Sequence, residues 1–474
     1  MTGHQWKEIA DLPEDTESLR DRELELLCEA WAVEKRRLDP ESVESFGAHL
    51  AREWAIETGI IEGVYTLDRG ITQTLIKRGI ESAYISHDAT NRDTELVARI
   101  IQAHADVLEG LFAFVKSERE LSTGYIKELH AALLRYQETV TVFDQFGRAF
   151  ETKLEKGLYK IMANNPTRPD GSLHEYCPPE HVASEMDRLI QMHREHETRA
   201  IRPHVEAAWL HHAFTQIHPF QDGNGRVARA LATLIFIKRG FFPLVVNRDD
   251  RERYIAALES ADGGKLSELV RLFARLQKRA LTGAIGMAVE ARPIRSVEEA
   301  VAATRDLLVD LGRIIPAEYL AAKDTANGLF QTTIHRVNEV VSSLHKEISG
   351  VNLGYAFRSA VLGAPPVTEL RSIGQKLEYD PNTGDYYSAE VIDLQAREIK
   401  SRITISFHSV GAAFRGLLAA VAYFQVGNGP PIPICDDIFR ITYQEPRNEA
   451  EERYKPWLDA CIIRGLAEWR RTLL

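Results

Sequence analysis

The stretch from Pro203 to Lys238 limits the possible folds of this chain more than any other. Its first part, Pro203 to Ile217, sets Val205, Ala208, Trp209, Leu210 and Phe214 at helical spacing. Its last part, Val227 to Lys238, is apolar nearly all round. A helix without a polar face has to be surrounded by other elements, so the chain is expected to build a helical bundle around it. Between the two lies His218-Pro219-Phe220-Gln221-Asp222-Gly223-Asn224-Gly225-Arg226, a turn too rich in glycine to continue either helix.

The chemistry of that turn is specific. Gly223 and Gly225 let the backbone approach a ligand closely, and amide N–H groups at the start of the following helix form an anion nest. Asn224 can add a side-chain donor. Asp222 can hold Mg²⁺, which takes one or two carboxylates and fills its shell with phosphate oxygens and water. Arg226 and Arg229 share one helix face and can clamp phosphate oxygens. His218, with an ordinary imidazole pKa of about 6.5, suits a general base. The residues point to phosphoryl or nucleotidyl transfer from a nucleotide to a hydroxyl.

From His218 to Arg229 the sequence resembles the HxFx(D/E)GNGRxxR signature of Fic-domain proteins, matching at every specified position. With its flanking helices the resemblance covers roughly residues 95–285. It implies a Fic-type helical bundle with a small β-hairpin flap, and transfer of AMP from ATP to a Ser, Thr or Tyr hydroxyl of a target protein. By the same resemblance His218 deprotonates that hydroxyl and Phe220 packs into the core. Asp222 binds Mg²⁺, Gly223, Asn224 and Gly225 line the anion hole, and Arg226 and Arg229 hold the β- and γ-phosphates. Tyr254 matches a tyrosine near the adenine, and the turn-rich Lys160 to Cys177 occupies the place of the flap. Relatives that move UMP or phosphocholine, or that remove AMP, share the signature, so those reactions stay open. So does a regulatory binding role for the C-terminal third.

Thr58-Gly59-Ile60-Ile61-Glu62-Gly63 fits the (S/T)xxxE(G/N) inhibitory motif of many such proteins and lies N-terminal to the core. By that resemblance Glu62 pairs with Arg229 where the γ-phosphate would go. Bidentate donors that grip a carboxylate cannot grip a phosphate at the same time. Dimers are common among resembling proteins, so a homodimer is a possible assembly.

Elsewhere amphipathic patterning predicts helices over Glu17–Arg37, from near Ser42 to an end around Thr58–Gly63, and over Thr94–Phe114, Leu121–Tyr136, Pro178–Met192, Val297–Leu311, Ala317–Ile348 and Glu449–Leu473. Strand-like runs occur at Arg402–Phe407 and Phe439–Tyr443. The expected organisation is an N-terminal helical region with the inhibitory helix over 1–94, a catalytic domain over 95–290 and a C-terminal α+β module over 295–474, with a boundary near Ala291-Arg292-Pro293. The fold class is mainly α with that α+β extension. His193, His196, His211 and His212 lack a third ligand at zinc spacing and are read as structural. Lys+Arg 58 against Asp+Glu 69 gives −11, which argues against duplex nucleic acid as a partner. The longest apolar run, Val410–Val426, is broken by Arg415 and short for a membrane span. Four scattered cysteines and a polar N-terminus suit the cytoplasm.

Overall fold

The computed structural model describes residues 4–36, 38, 40–143, 148–168, 171–286, 301, 305, 316–348, 354–411 and 416–474. In chain order these form α1 (Arg22–Glu34), α2 (Pro40–Ile61), α3 (Arg69–Arg78), α4 (Thr94–Lys116), α5 (Thr123–Leu133), the strands β1 (Thr139–Phe143) and β2 (Ala149–Lys153), then α6 (Val182–Thr198), α7 (Pro203–Ile217), α8 (Asn224–Lys238), α9 (Arg251–Asp262) and α10 (Ser267–Ile285). They continue as α11 (Pro316–Ile348), β3 (Tyr355–Val361), α12 (Val367–Leu377), β4 (Pro381–Ala396), β5 (Ile399–Val410), β6 (Leu417–Val426), β7 (Ile432–Pro433), β8 (Phe439–Thr442) and α13 (Arg447–Thr472). Residues 1–21 and 44–277 group as one unit, and 22–43 and 278–474 as a second. The first 94 residues therefore divide between the two. The expected boundary at Ala291–Pro293 lies outside the described residues, as does most of the expected helix Val297–Leu311.

The first unit is built on α8, as its apolar sequence requires. Every α8 residue from Arg226 to Ile237 is buried, with α4, α5 and α7 packed around it. Asp93 caps α4 by accepting the Leu96 N–H (2.8 Å), and Ser122 caps α5 through the Tyr125 N–H (3.2 Å). The C-terminal half of α2 belongs to the same core: Trp54 and Ile56 are buried, and the Trp54 indole donates to the Thr233 hydroxyl on α8 (3.1 Å). Gly59 lets α2 lie against Tyr65, since a Cβ there would fall 2.6 Å from the buried phenol ring.

His193 and His196 are buried on α6 and flank Glu206 of α7, each with Nδ1 2.7 Å from one of its carboxylate oxygens. His196 turns its other nitrogen to Asp11 (2.6 Å). Burial alone would lower its pKa, but the two carboxylates outweigh it and raise it. The N-terminal segment is thereby tied down, helped by Ile9 N–H to Glu185 (2.8 Å) and the Trp209 indole to the Ala10 carbonyl (2.8 Å).

The second unit carries an antiparallel sheet in the order β3-β4-β5-β6-β7, with β8 also paired to β6. The expected run Arg402–Phe407 lies inside β5, and Phe439–Tyr443 yields β8. The apolar run read at Val410–Val426 supplies β6, buried from Leu417 to Phe424. Helices cover one face: Phe407 meets Phe330 of α11 at 5.8 Å between centroids, and Gly465 of α13 lies so close to Ile403 that a Cβ would stand 2.6 Å from it. Among the described residues no helix is long and apolar enough to cross a membrane.

Glu23 on α1 anchors a charged cluster in this unit. It accepts from Lys278 Nζ (2.8 Å) and the Arg440 backbone N–H (3.1 Å), with the Arg440 and Arg453 guanidiniums 3.6 Å and 3.9 Å away. Burial would raise its pKa, but the three cations win and hold it at about 2. A depressed carboxyl stabilises the fold above its unfolded pKa, and that contribution disappears as pH falls toward about 2. Arg440 and Arg453 keep Asp437 and Glu445 as partners. Glu23→Gln is therefore expected to cost about 2 kcal/mol at neutral pH, the loss of a charged hydrogen bond rather than of a lone buried pair. Denaturant unfolding of the two proteins at pH 7 checks this, and the difference should shrink in acid.

Candidate active site

The loop between α7 and α8 is shaped by two residues in the left-handed region. His218 ends α7 at φ 49°, and Gly223 precedes α8 at φ 76°. A histidine there is strained, as is common where a side chain must be aimed. Gly223 also has no room for a side chain, because a Cβ would meet Leu134 at 2.5 Å. Asn224 closes the loop on itself: its carboxamide accepts the Phe220 N–H (2.9 Å) and donates to the Phe220 carbonyl (2.7 Å). Phe220 is fully buried and stacks on His130 of α5 at 3.8 Å. His130 in turn accepts the Gly157 N–H on Nδ1 (2.8 Å) and faces the Asp222 carbonyl with Nε2 (3.0 Å). Burial pushes its pKa down to about 4, which keeps it neutral for those two bonds.

His218 turns Nδ1 to the Thr215 carbonyl (3.2 Å), which leaves Nε2 as the lone-pair nitrogen. Its ring lies flat on Tyr176, 3.7 Å between centroids at 8°. Burial, and then the nearby Lys160 ammonium, push its pKa down to about 3. Lys160 is itself buried, donates to Asn164 (2.8 Å), and is lowered by that burial to about 8. The hairpin that carries these residues pairs Thr167 with Leu173 and is tied to the loop by Lys160 N–H to the Pro219 carbonyl (2.8 Å) and Asn164 to the Phe220 carbonyl (2.8 Å).

The two arginines on α8 are both buried, and they differ in their partners. Arg229 is held by three bonds from α2: Nη1 to Glu62 (2.8 Å), Nε to the Thr58 hydroxyl (3.0 Å) and Nη2 to the Thr58 carbonyl (3.0 Å). Arg226 donates to Gln137 (2.8 Å) and lies 3.6 Å from Asp222, but its buried Nε–H has no partner among the described residues. Burial would raise the pKa of Asp222, but Arg226 and then hydrogen bonds from Gln137 and the Gly223 N–H lower it. Gly225 leaves room for Glu62, since a Cβ there would stand 2.3 Å from its carboxylate oxygen. Tyr254 of α9 is buried with its hydroxyl 2.8 Å from His211 Nε2. Two clefts meet at Glu62. One, of about 350 Å³, is lined by Tyr176, His218, Gly225 and Tyr254. The other, of about 710 Å³, is lined by Gln137, Asn164, Asp222 and Arg226.

Residues 120–236 match the family model described as the Fic/DOC family. The chain carries a Fic domain. It is 27% identical over 233 residues to protein adenylyltransferase fic-1 of Caenorhabditis elegans, covering 49% of this chain and 41% of that protein. Over 89 residues it is 43% identical to a Fido domain-containing protein of Dictyostelium discoideum, 18% of this chain and 62% of that one. The chain thus spans between about two fifths and three fifths of the length of these curated relatives. Among solved structures, a Fic domain containing signalling protein from Bacteroides thetaiotaomicron is similar at a TM-score of 0.46 and 23% identity, covering 57% of this chain and 99% of that one.

In the first unit Glu62, His218, Asp222, Gly225, Arg226 and Tyr254 line these clefts, and Gly223, Asn224 and Arg229 are buried on the same loop and helix. Sequence reading did not find the supports of the loop: His130 under Phe220, Gln137 bridging Asp222 and Arg226, and Tyr176 on His218. His211, read only as structural, orients Tyr254. The sole sequence hint was that His130 and His211 are polar residues on the apolar faces of their helices.

Proposed function

We propose that the chain is an autoinhibited protein adenylyltransferase that moves AMP from ATP to a hydroxyl of a target protein and releases pyrophosphate. The observation that carries this reading is the pair of buried guanidiniums on α8. Arg229 is occupied by the carboxylate of Glu62, which lines both clefts, and Arg226, which lines the larger one, has an unpartnered N–H. Such a pair recognises anionic oxygens, and one of its places is filled by the protein's own carboxylate. The names of relatives such as fic-1 supply the chemical class of the reaction.

In this reading His218 Nε2 takes the proton of the attacking hydroxyl while the Thr215 carbonyl holds Nδ1–H. The hydroxyl oxygen forms a bond to the α-phosphorus as the bond to the pyrophosphate oxygen breaks. The Asn224 and Gly225 backbone N–H groups at the start of α8 would serve the anion, the Gly223 N–H being held by the Asp222 carboxylate (2.6 Å). Asp222, ionised and 3.6 Å from Arg226, fits a carboxylate that would hold Mg²⁺ beside phosphates. The ion supplies positive charge against the phosphate oxygens when bound. Leu158 and Ile161, exposed on the hairpin side of the loop, offer a target segment apolar contact.

Mass spectrometry tests the proposal. Glu62→Gly incubated with ATP and Mg²⁺ is expected to add one AMP increment to itself or to proteins of a lysate. A UMP increment, release of AMP from premodified protein, or no change would each overturn it.

A further inference from the structure

At the cleft that contains His218, four side chains that the proposed reaction does not use converge from distant parts of the sequence. His4 comes from the N-terminal segment, His174 from the hairpin, His212 from α7 and Asp262 from the end of α9. The donor atoms of His4, His174 and Asp262 all lie within 4.8 Å of one another. The two imidazoles are stacked at 4.4 Å between centroids, and His174 Nε2 is 3.9 Å from Asp262 Oδ2. The other oxygen of Asp262 accepts from His212 Nε2 at 3.0 Å.

We propose that His4, His174 and Asp262 form a binding site for a zinc-class divalent metal ion, with His212 orienting the carboxylate. Two imidazoles and a carboxylate are a donor set that zinc and its neighbours favour over Mg²⁺ or Ca²⁺. With metal–ligand bonds of about 2.0–2.2 Å, tetrahedral donors sit about 3.3 Å apart, so the cluster has to contract by at most about 1.5 Å. Side-chain rotation supplies that, because the backbone is already placed: His4 pairs with His174 in a β-bridge, and its carbonyl accepts the Glu175 N–H at 2.9 Å. A histidine holding the far oxygen of a ligating carboxylate is a recurring support for metal sites.

One group opposes the ion. Arg168 Nη2 donates to His174 Nδ1 (2.9 Å) and is 3.9 Å from Asp262 Oδ2. Donation to Nδ1 puts the ring proton on Nε2, the nitrogen a metal needs bare. Metal binding therefore moves that proton to Nδ1 and requires the guanidinium, which is one-third exposed, to swing out. Three ligands leave a coordination position open, and His174 and Asp262 both line the cleft that contains His218. A bound ion would clamp the N-terminal segment and the hairpin to α9, next to the ring stack Tyr176–His218.

The test is Co²⁺ titration of the full, untagged chain without nucleotide, read by visible d–d absorption, with Asp222→Asn as background so that the magnesium position does not contribute. One equivalent is expected to bind. His212→Ala should weaken binding about 10–100-fold, the usual effect of losing an outer-shell partner. His4→Ala should weaken it at least as much, and Arg168→Ala should tighten it. Far-UV circular dichroism verifies that each variant is folded; because His4 lies on a terminal segment, its variant keeps the test alive if Asp262→Asn does not fold. The proposal is overturned if neither the background protein nor Arg168→Ala gives a Co²⁺ spectrum, or if His4→Ala and His174→Ala bind as the parent does.

Discussion

Glu62→Gly is expected to raise AMP transfer on the order of 100-fold while making the protein less stable. Both effects come from one contact. Arg229 is almost wholly buried and donates to Glu62 at 2.8 Å. Its release gives a phosphate access to a desolvated guanidinium, and a hundredfold rate corresponds to about 2.7 kcal/mol of competition removed. That is within the cost of separating a buried charge from its partner, about 3–5 kcal/mol. In the nucleotide-free variant the same charge keeps its two Thr58 contacts and a hydrogen bond with Tyr254 but loses its carboxylate partner. Unfolding should thus show a loss of about 1–3 kcal/mol, recovered when ATP and Mg²⁺ are added. Equal labelling by wild type and variant would refute the brake. A stability loss that ATP does not restore would refute the shared site.

The second large effect is at His218. In the Glu62→Gly background, His218→Ala is expected to lower the initial rate about 10²–10⁴-fold, the range for loss of a positioned general base. The pH profile is the more discriminating readout. Burial holds His218 at about 3, and a histidine whose pKa is lowered is already neutral and competent throughout the range above that value. Labelling should stay flat from pH 8 to pH 5. An ordinary imidazole would instead lose most of its activity below about 6.5. Moving Lys160 to Met, which removes the neighbouring ammonium, should shift the acid limb upward. A profile that falls through 6.5 in the parent would show that the site is wetter than its packing.

What the sequence made legible follows from distance along the chain. The loop His218 to Arg229 carries its meaning within twelve residues, and α8 announces burial by composition alone, so both could be read directly. The contact between Glu62 and Arg229 spans 167 residues and was accessible only through resemblance to a family motif. The supports of the loop have no such motif. Gln137 lies in what reads as the tail of a helix, yet α5 ends at Leu133 and frees it to reach Asp222 and Arg226. The hairpin region shows the same limit. Its dense turn residues from Gln145 to Cys177 suggest a hairpin or flap between helices, but β1 begins earlier, at Thr139, because Thr139, Val140, Thr141 and Val142 favour extended backbone. In the second unit β3 and β4 were not read at all. Pro381, Asn382 and Gly384 at the head of β4 look like a turn, and only the pairing of the strand with β5 makes it a strand.

The anchoring of α2 bears on how such a brake could ever be released. Trp54 and Ile56 are packed without solvent contact and the indole is bonded to α8. Full burial of such side chains is worth about 1.5–3 kcal/mol each, so withdrawing the helix would mean dismantling part of the domain. The Glu62 carboxylate, proposed above as the brake, sits just past the end of that helix, where Gly63 turns the chain at φ 66°. Release then needs a change of rotamer in one side chain, at the cost of parting one buried ion pair, while the helix stays packed. An activator of this protein would not have to pull anything out. It would have to offer Glu62 a better place to rest.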